Sequence, residues 1–166
     1  MPPLPLETDR VPPHDTEAER SVLGAMLIDE RAVAIAVDAL HEQAFYTPAH
    51  RLTFGAIRAL FERREPSDIV TVASLLQSRN ELEKAGGAAY VAGLASAVPT
   101  AANIEHYAKI VSDKFLLREL IRAAHHIAAE CHQGELTAQE LIEQAEQRVF
   151  KVAEITRRGD FEQLKK

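Results

Sequence analysis

Residues 103–131 read NIEHYAKIVSDKFLLRELIRAAHHIAAEC, and the way their apolar positions recur decides the fold. Ile104, Ala108, Val111 and Phe115 follow the spacing that lines one face of an α-helix. Continued further, that stripe meets Arg118, Glu119 and Arg122, all charged. The apolar set resumes instead at Leu117, Leu120, Ile121, Ala124, Ile127 and Cys131, rotated to a different face. Two faces imply two partners. The first half is expected to pack on a small core, and the second half to leave it.

Downstream, Gly134 breaks the chain, and Thr137 with Glu140 has the spacing of a capping box. The helix it predicts places Leu141, Ala145, Val149, Val152 and Ala153 on one side, widened by Ile142 and Phe150. Residues 116–155 therefore read as an antiparallel helical hairpin. Two helices cannot hide two broad apolar stripes on each other alone. Each buried Ile or Leu contributes roughly 1.5–3 kcal/mol, so several left in water would be a large liability. The hairpin either folds back on the preceding helices or is covered by a second copy of the chain.

Upstream, residues 15–115 read as a small globular bundle of about six helices. Thr16 with Glu19 has capping-box spacing, followed by Val22, Leu23, Met26 and Leu27 on one face, and Asp29 marks the end. A second short helix carries Val33, Ile35, Val37 and Leu40. Thr47-Pro48 starts a third, with Leu52, Ile57, Leu60 and Phe61 at helical spacing before Pro66. A short helix is expected from Thr71, and Gly86-Gly87 opens another with Tyr90, Val91 and Leu94, closed by Val98-Pro99. Period-two alternation is nowhere sustained, so the expected class is all-α. Residues 1–14 hold five prolines and read as a flexible arm. Thr156-Arg-Arg-Gly-Asp reads as a polar break, with the start of another amphipathic helix after it.

Composition agrees. Of the 166 residues 46% are hydrophobic and only 5% aromatic, with no Trp, which suits close-packed helices better than a β-sandwich. The single cysteine, Cys131, excludes an internal disulfide and points to reducing cytoplasm. No signal peptide and no apolar run near the ~20 residues of a membrane span are evident. A net charge of −6 argues against this segment gripping DNA by itself, since that needs a basic face to neutralise phosphates.

The search for chemistry finds no convincing active site. None of the seven glycines is followed by Lys-Ser or Lys-Thr, so no phosphate loop is present. His125, His126, Cys131 and His132 cluster in sequence, yet there is no Cys pair and no acid to complete a metal shell, so they read as ordinary side chains. Glu17, Glu19, Glu140 and Glu143 fall in first helical turns, where facing the helix dipole is reason enough for them. No cofactor or metal is expected in this chain.

An ordered set of strings then points to a family. Pro12-Pro13-His14, Glu17-Ala18-Glu19 and Ser21-Val22-Leu23-Gly24 are followed by Phe45-Tyr46 with His50 and by Asp68-Ile69-Val70-Thr71. Next come Gly86-Gly87 with Tyr90 and Leu94, then Val98-Pro99-Thr100-Ala101-Ala102-Asn103-Ile104, and Tyr107-Ala108 running into Leu117-Arg118. Together they resemble the N-terminal domain of bacterial replicative DNA helicases, the DnaB family, over roughly residues 11–164. The resemblance implies a helical bundle with a hairpin whose pairing forms dimers, and three dimers forming a collar on a hexameric motor. It implies that the C-terminal domain of primase docks there, that ATP and Mg belong to a motor domain beyond this chain, and that residues 156–166 begin the linker to it. It also implies contact roles for Tyr90, Ile121, Ile127 and Leu141; Leu117 and Val149 on the same surplus stripes complete the candidate interface. A stand-alone helical adaptor that binds a helicase or primase is the alternative, to be separated by the reading frame after Lys166.

Overall fold

The computed structural model describes residues 10–163, with side chains through Thr156. Among these residues it is all-α: α1 (Thr16–Ile28), α2 (Glu30–Ala39), a 3-10 turn (Glu42–Ala44), α3 (Pro48–Glu62), α4 (Ile69–Ser78), α5 (Ala88–Ala95), α6 (Ile104–Gln133) and α7 (Ala138–Gln163). The expected class and the bundle-plus-hairpin architecture are the ones observed.

Helix α1 is the centre of the bundle and packs against α2, α3, α5 and α6. Its apolar face supplies Val22, Leu23 and Met26 to a core completed by Val33, Phe45, Phe54, Ile57, Leu76, Val91 and Leu94, all sealed from solvent. At the α1–α5 crossing the backbones nearly touch. A Cβ on Gly24 would stand 2.3 Å from the Leu94 carbonyl oxygen, so only glycine allows that approach.

Local capping sets the boundaries, and several differ from the sequence reading. Asp15, not Thr16, caps α1, its carboxylate accepting from the Ala18 amide. Asp29 ends α1 as expected and also caps α2. Helix α4 begins at Ile69, two residues before the expected Thr71, because Asp68 accepts from the Thr71 amide. Thr47 precedes Pro48 at the start of α3, as expected, but its side chain makes no capping bond.

Helix α6 runs 30 residues without interruption. Ile104, Ala108, Val111 and Phe115 are buried against the bundle, and beyond them the same helix becomes the first arm of the hairpin. Bundle and hairpin thus share one helix, and the expected boundary near residue 115 lies inside it. Gly134, in the left-handed region, ends α6, and α7 turns back along it. The expected capping box is complete: the Glu140 carboxylate accepts from the Thr137 amide, and the Thr137 hydroxyl accepts from the Glu140 amide.

Two readings of the chain ends change. Helix α7 continues through residues 156–160, so the polar break expected there is not a break in the helix. Of the arm, residues 1–9 lie outside the described residues, as do residues 164–166 of the expected linker. Residues 12–14 are tied to the bundle: the Pro13 carbonyl accepts from Arg118, and the His14 ring stacks on Tyr46 at 4.2 Å.

Candidate functional site

The hairpin carries two kinds of apolar position, and the fold separates them. Half-buried or buried residues on α6 (Ala123, Ile127, Glu130) and on α7 (Leu141, Gln144, Ala145, Arg148, Val152) recur at helical spacing and form the inner seam, crossed by an Arg148–Glu130 ion pair. Ile127 and Leu141 belong to that seam. A second set lies outside it. Leu117, Leu120 and Ile121 on α6 are more than two-fifths exposed, and so are Ile142 and Val149 on α7. Ile142, Ala145, Glu146, Val149, Phe150 and Ala153 line a shallow, almost wholly apolar groove along α7.

The six candidate residues are therefore not one patch. Leu117, Ile121 and Val149 stand on the outer surface, while Ile127 and Leu141 are half-buried where the two arms meet. Tyr90 is elsewhere, on α5 in the bundle. Folding back onto the bundle does not cover the outer set: α7 meets the bundle along α2, yet these side chains remain exposed.

Tyr90 belongs to an internal hydrogen-bond chain. Its hydroxyl lies 2.6 Å from Nε2 of His50, whose Nδ1 lies 2.8 Å from Oε1 of Glu19. The Glu19 carboxylate also accepts from the backbone amides of Tyr46 (2.8 Å) and Thr47 (3.2 Å). Gly86 makes room for the tyrosine ring, since a Cβ there would come within 2.7 Å of it. Burial by itself would raise the Glu19 pKa. The hydrogen bonds from His50 and from the two amides, together with the field of His50, outweigh burial and hold it below the ordinary value. Burial raises the Tyr90 phenol.

Glu19 therefore does not serve the dipole of its own helix, as the sequence suggested; it organises a neighbouring loop. Arg118 likewise differs from the sequence reading, which ends the bundle-facing stripe before it. It continues the bundle-facing stripe three residues after Phe115, but it is buried and donates to the Ala44 carbonyl at 2.7 Å and the Pro13 carbonyl at 2.9 Å. Desolvation lowers its pKa. Arg51 donates to the carbonyls of Phe45 and Tyr46. The loop 44–47 is thus held by Glu19 from α1, Arg51 from α3 and Arg118 from α6. One signal could have revealed both residues: each is a charge sitting on an apolar stripe, Glu19 at helical spacing from Val22, Leu23 and Met26, and Arg118 from Val111 and Phe115.

Among the described residues no group of three His, Cys, Asp or Glu could hold a metal ion. His125, His126, Cys131 and His132 are exposed along α6. Likewise among the described residues, no helix is long and apolar enough to cross a membrane.

Comparison with known proteins gives a consistent result. The family described as DnaB-like helicase N terminal domain matches residues 11–113. The replicative DNA helicase DnaC of Bacillus subtilis (strain 168) is 41% identical over 160 residues, which cover 96% of this chain and 35% of the relative. The replicative DNA helicase DnaB of Mycobacterium leprae (strain TN) is 43% identical over 147 residues, covering 87% and 24%. The chain thus spans about a quarter to a third of the length of these two relatives. The crystal structure of the N-terminal domain of DnaB helicase from Mycobacterium tuberculosis superposes with a TM-score of 0.80 at 42% identity, over 86% of this chain and 99% of that one. A DnaB-like replicative helicase, described with its interactions with primase, shares the fold at 20% identity, with a TM-score of 0.69 over 83% of this chain and 31% of that one.

Proposed function

The chain belongs to the DnaB-like helicase N-terminal domain family, and on that footing we propose that it is the non-catalytic assembly and docking domain of a hexameric replicative DNA helicase. In this reading residues 15–115 are the core bundle, 116–155 the assembly hairpin, and 156–166 the start of the connection to an ATP- and Mg-dependent motor. Unwinding belongs to the motor, and the work is done in the cytoplasm. The hairpin pairs with that of a second copy, three pairs form the collar, and the C-terminal domain of primase docks on it.

The observation that carries this reading is the outer apolar set of the hairpin. Leu117, Leu120, Ile121, Ile142 and Val149 are exposed although their own chain offers them a bundle and a partner helix. A surface of that kind favours a protein partner over water. The exposure of Leu117, Ile121 and Val149 supports their place at the interface. Ile127 and Leu141 support it indirectly by keeping the two arms together, and Tyr90 by fixing the bundle.

Light scattering across a concentration series tests this. The parent chain should approach twice its monomer mass, and Ile121→Asp and Val149→Asp should remain monomeric with unchanged helicity. An unaltered oligomer in both variants would move the interface elsewhere. Ile127→Asp, by contrast, would place a charge in the seam and damage the hairpin itself. Calorimetry of the full-length helicase with the cognate primase C-terminal domain tests docking; absence of heat at high micromolar concentration would remove that part.

A further inference from the structure

Arg118 is the last buried residue on the bundle-facing side of α6; the next residues on that side, Arg122, His125, His126 and Ala129, are exposed. It stands where the helix leaves the bundle. Its guanidinium bridges two segments far away in sequence, donating to the Pro13 carbonyl 105 residues back and to the Ala44 carbonyl 74 residues back. The Tyr46 ring is shared between that guanidinium, 5.6 Å from its centroid, and the stacked His14 imidazole. The His14 ring is itself held by a 2.8 Å hydrogen bond between its Nδ1 and the Pro12 carbonyl.

We propose that Arg118 and residues 12–14 form a strap that fixes the direction in which the hairpin leaves the bundle. The hairpin's other hold on the bundle is where α7 meets α2, and beyond Arg118 the exposed bundle-facing side of α6 does not fix the direction. Carbonyl bonds aimed from two directions do, since a planar guanidinium satisfies them only in a narrow range of orientations. The N-terminal segment is one half of that grip. A change in residues 12–14 is therefore transmitted to the hairpin without passing through the core.

A distance measurement between the two parts tests the strap. Nitroxide labels on Gln77→Cys in α4 and Gln133→Cys at the end of α6, in a Cys131→Ser background, report the distance from bundle to hairpin tip. Dilution with unlabelled chain keeps the signal within one molecule. The parent should give one narrow distance distribution. Arg118→Gln should broaden it or shift its mean, and so should a chain lacking residues 2–14, in which Met1 joins Asp15. If Arg118→Gln does not fold, the deletion decides by itself. A folded deletion variant with the parent distribution overturns the strap, even if its melting temperature is lower.

Discussion

Oε1 of Glu19 lies 2.8 Å from Nδ1 of His50, and both side chains are closed off from solvent although 31 residues separate them in the chain. The pair joins α1 to α3 and, through Tyr90, to α5.

Replacing Glu19 with Gln removes the charge while keeping the shape. One carboxylate oxygen becomes an amide nitrogen that faces donors, so either the Tyr46 amide or the Thr47 amide and His50 lose their acceptor. A cost of about 3 kcal/mol is expected, in the range for breaking a buried pair. The pH dependence should change with it. The folded-state pKa of Glu19 is depressed, so its contribution is fully present above the unfolded value of about 4.5 and is lost as pH falls through the folded value. Urea denaturation between pH 7 and pH 3 should show a shallower acid limb for Glu19→Gln than for the parent; equal limbs would place the acid sensitivity on other carboxylates.

Tyr90→Phe tests the far end of the same chain. The ring stays, the hydroxyl goes, and Nε2 of buried His50 loses its partner. Stability should drop by about 1–2 kcal/mol, the usual cost of an orphaned buried polar atom. Oligomeric mass should not change, since Tyr90 sits on the bundle. A mass change at parent-like stability would return Tyr90 to the interface.

Gly24→Ala tests the α1–α5 crossing. The added methyl would meet the Leu94 carbonyl, a backbone atom that cannot swing aside, so the helices must separate. A loss of about 3 kcal/mol, at the upper end for overpacking, should appear in chemical denaturation. A loss below that of Tyr90→Phe would show that the crossing relaxes easily.

Ile127 and Ile121, six residues apart on α6, should behave oppositely. Ile127→Ala opens the seam and should lower monomer stability by about 1–2 kcal/mol, less than the full core cost because the side chain is half-buried. Ile121→Ala should leave monomer stability within about 0.5 kcal/mol, as surface changes usually do, and act on self-association instead. Denaturation at two protein concentrations separates the effects, because only association depends on concentration.

Much of the architecture was readable from spacing alone. The change of face between Phe115 and Leu117, the left-handed Gly134 and the Thr137–Glu140 box announced a helix shared with a hairpin, and all three are present. The partners of charges that act over long sequence distances were not readable. Thr16-x-x-Glu19 satisfies the local signature of a capping box, and although the stripe of Val22, Leu23 and Met26 marks Glu19 as inward-facing, nothing nearby names its partner, a loop 27 residues on. Arg118 looked like the end of a stripe because its partners are carbonyls, which any residue type can supply. The split of the candidate surface into seam and exterior was also hidden: the stripe on each arm is wider than one contact, and only the relative rotation of α6 and α7 decides which part faces inward.

The length of α6 turns a small disturbance at its root into a large one at its tip. From Arg118 to Gln133 there are about 15 residues, or about 22 Å of rigid rod at 1.5 Å each. A tilt of about 10° at the pivot would swing the far end by about 4 Å, most of a helical turn's rise. A lever of that kind converts small adjustments where Ala44 and Pro13 grip the guanidinium into a displacement that any partner of the hairpin would register as a different angle of approach.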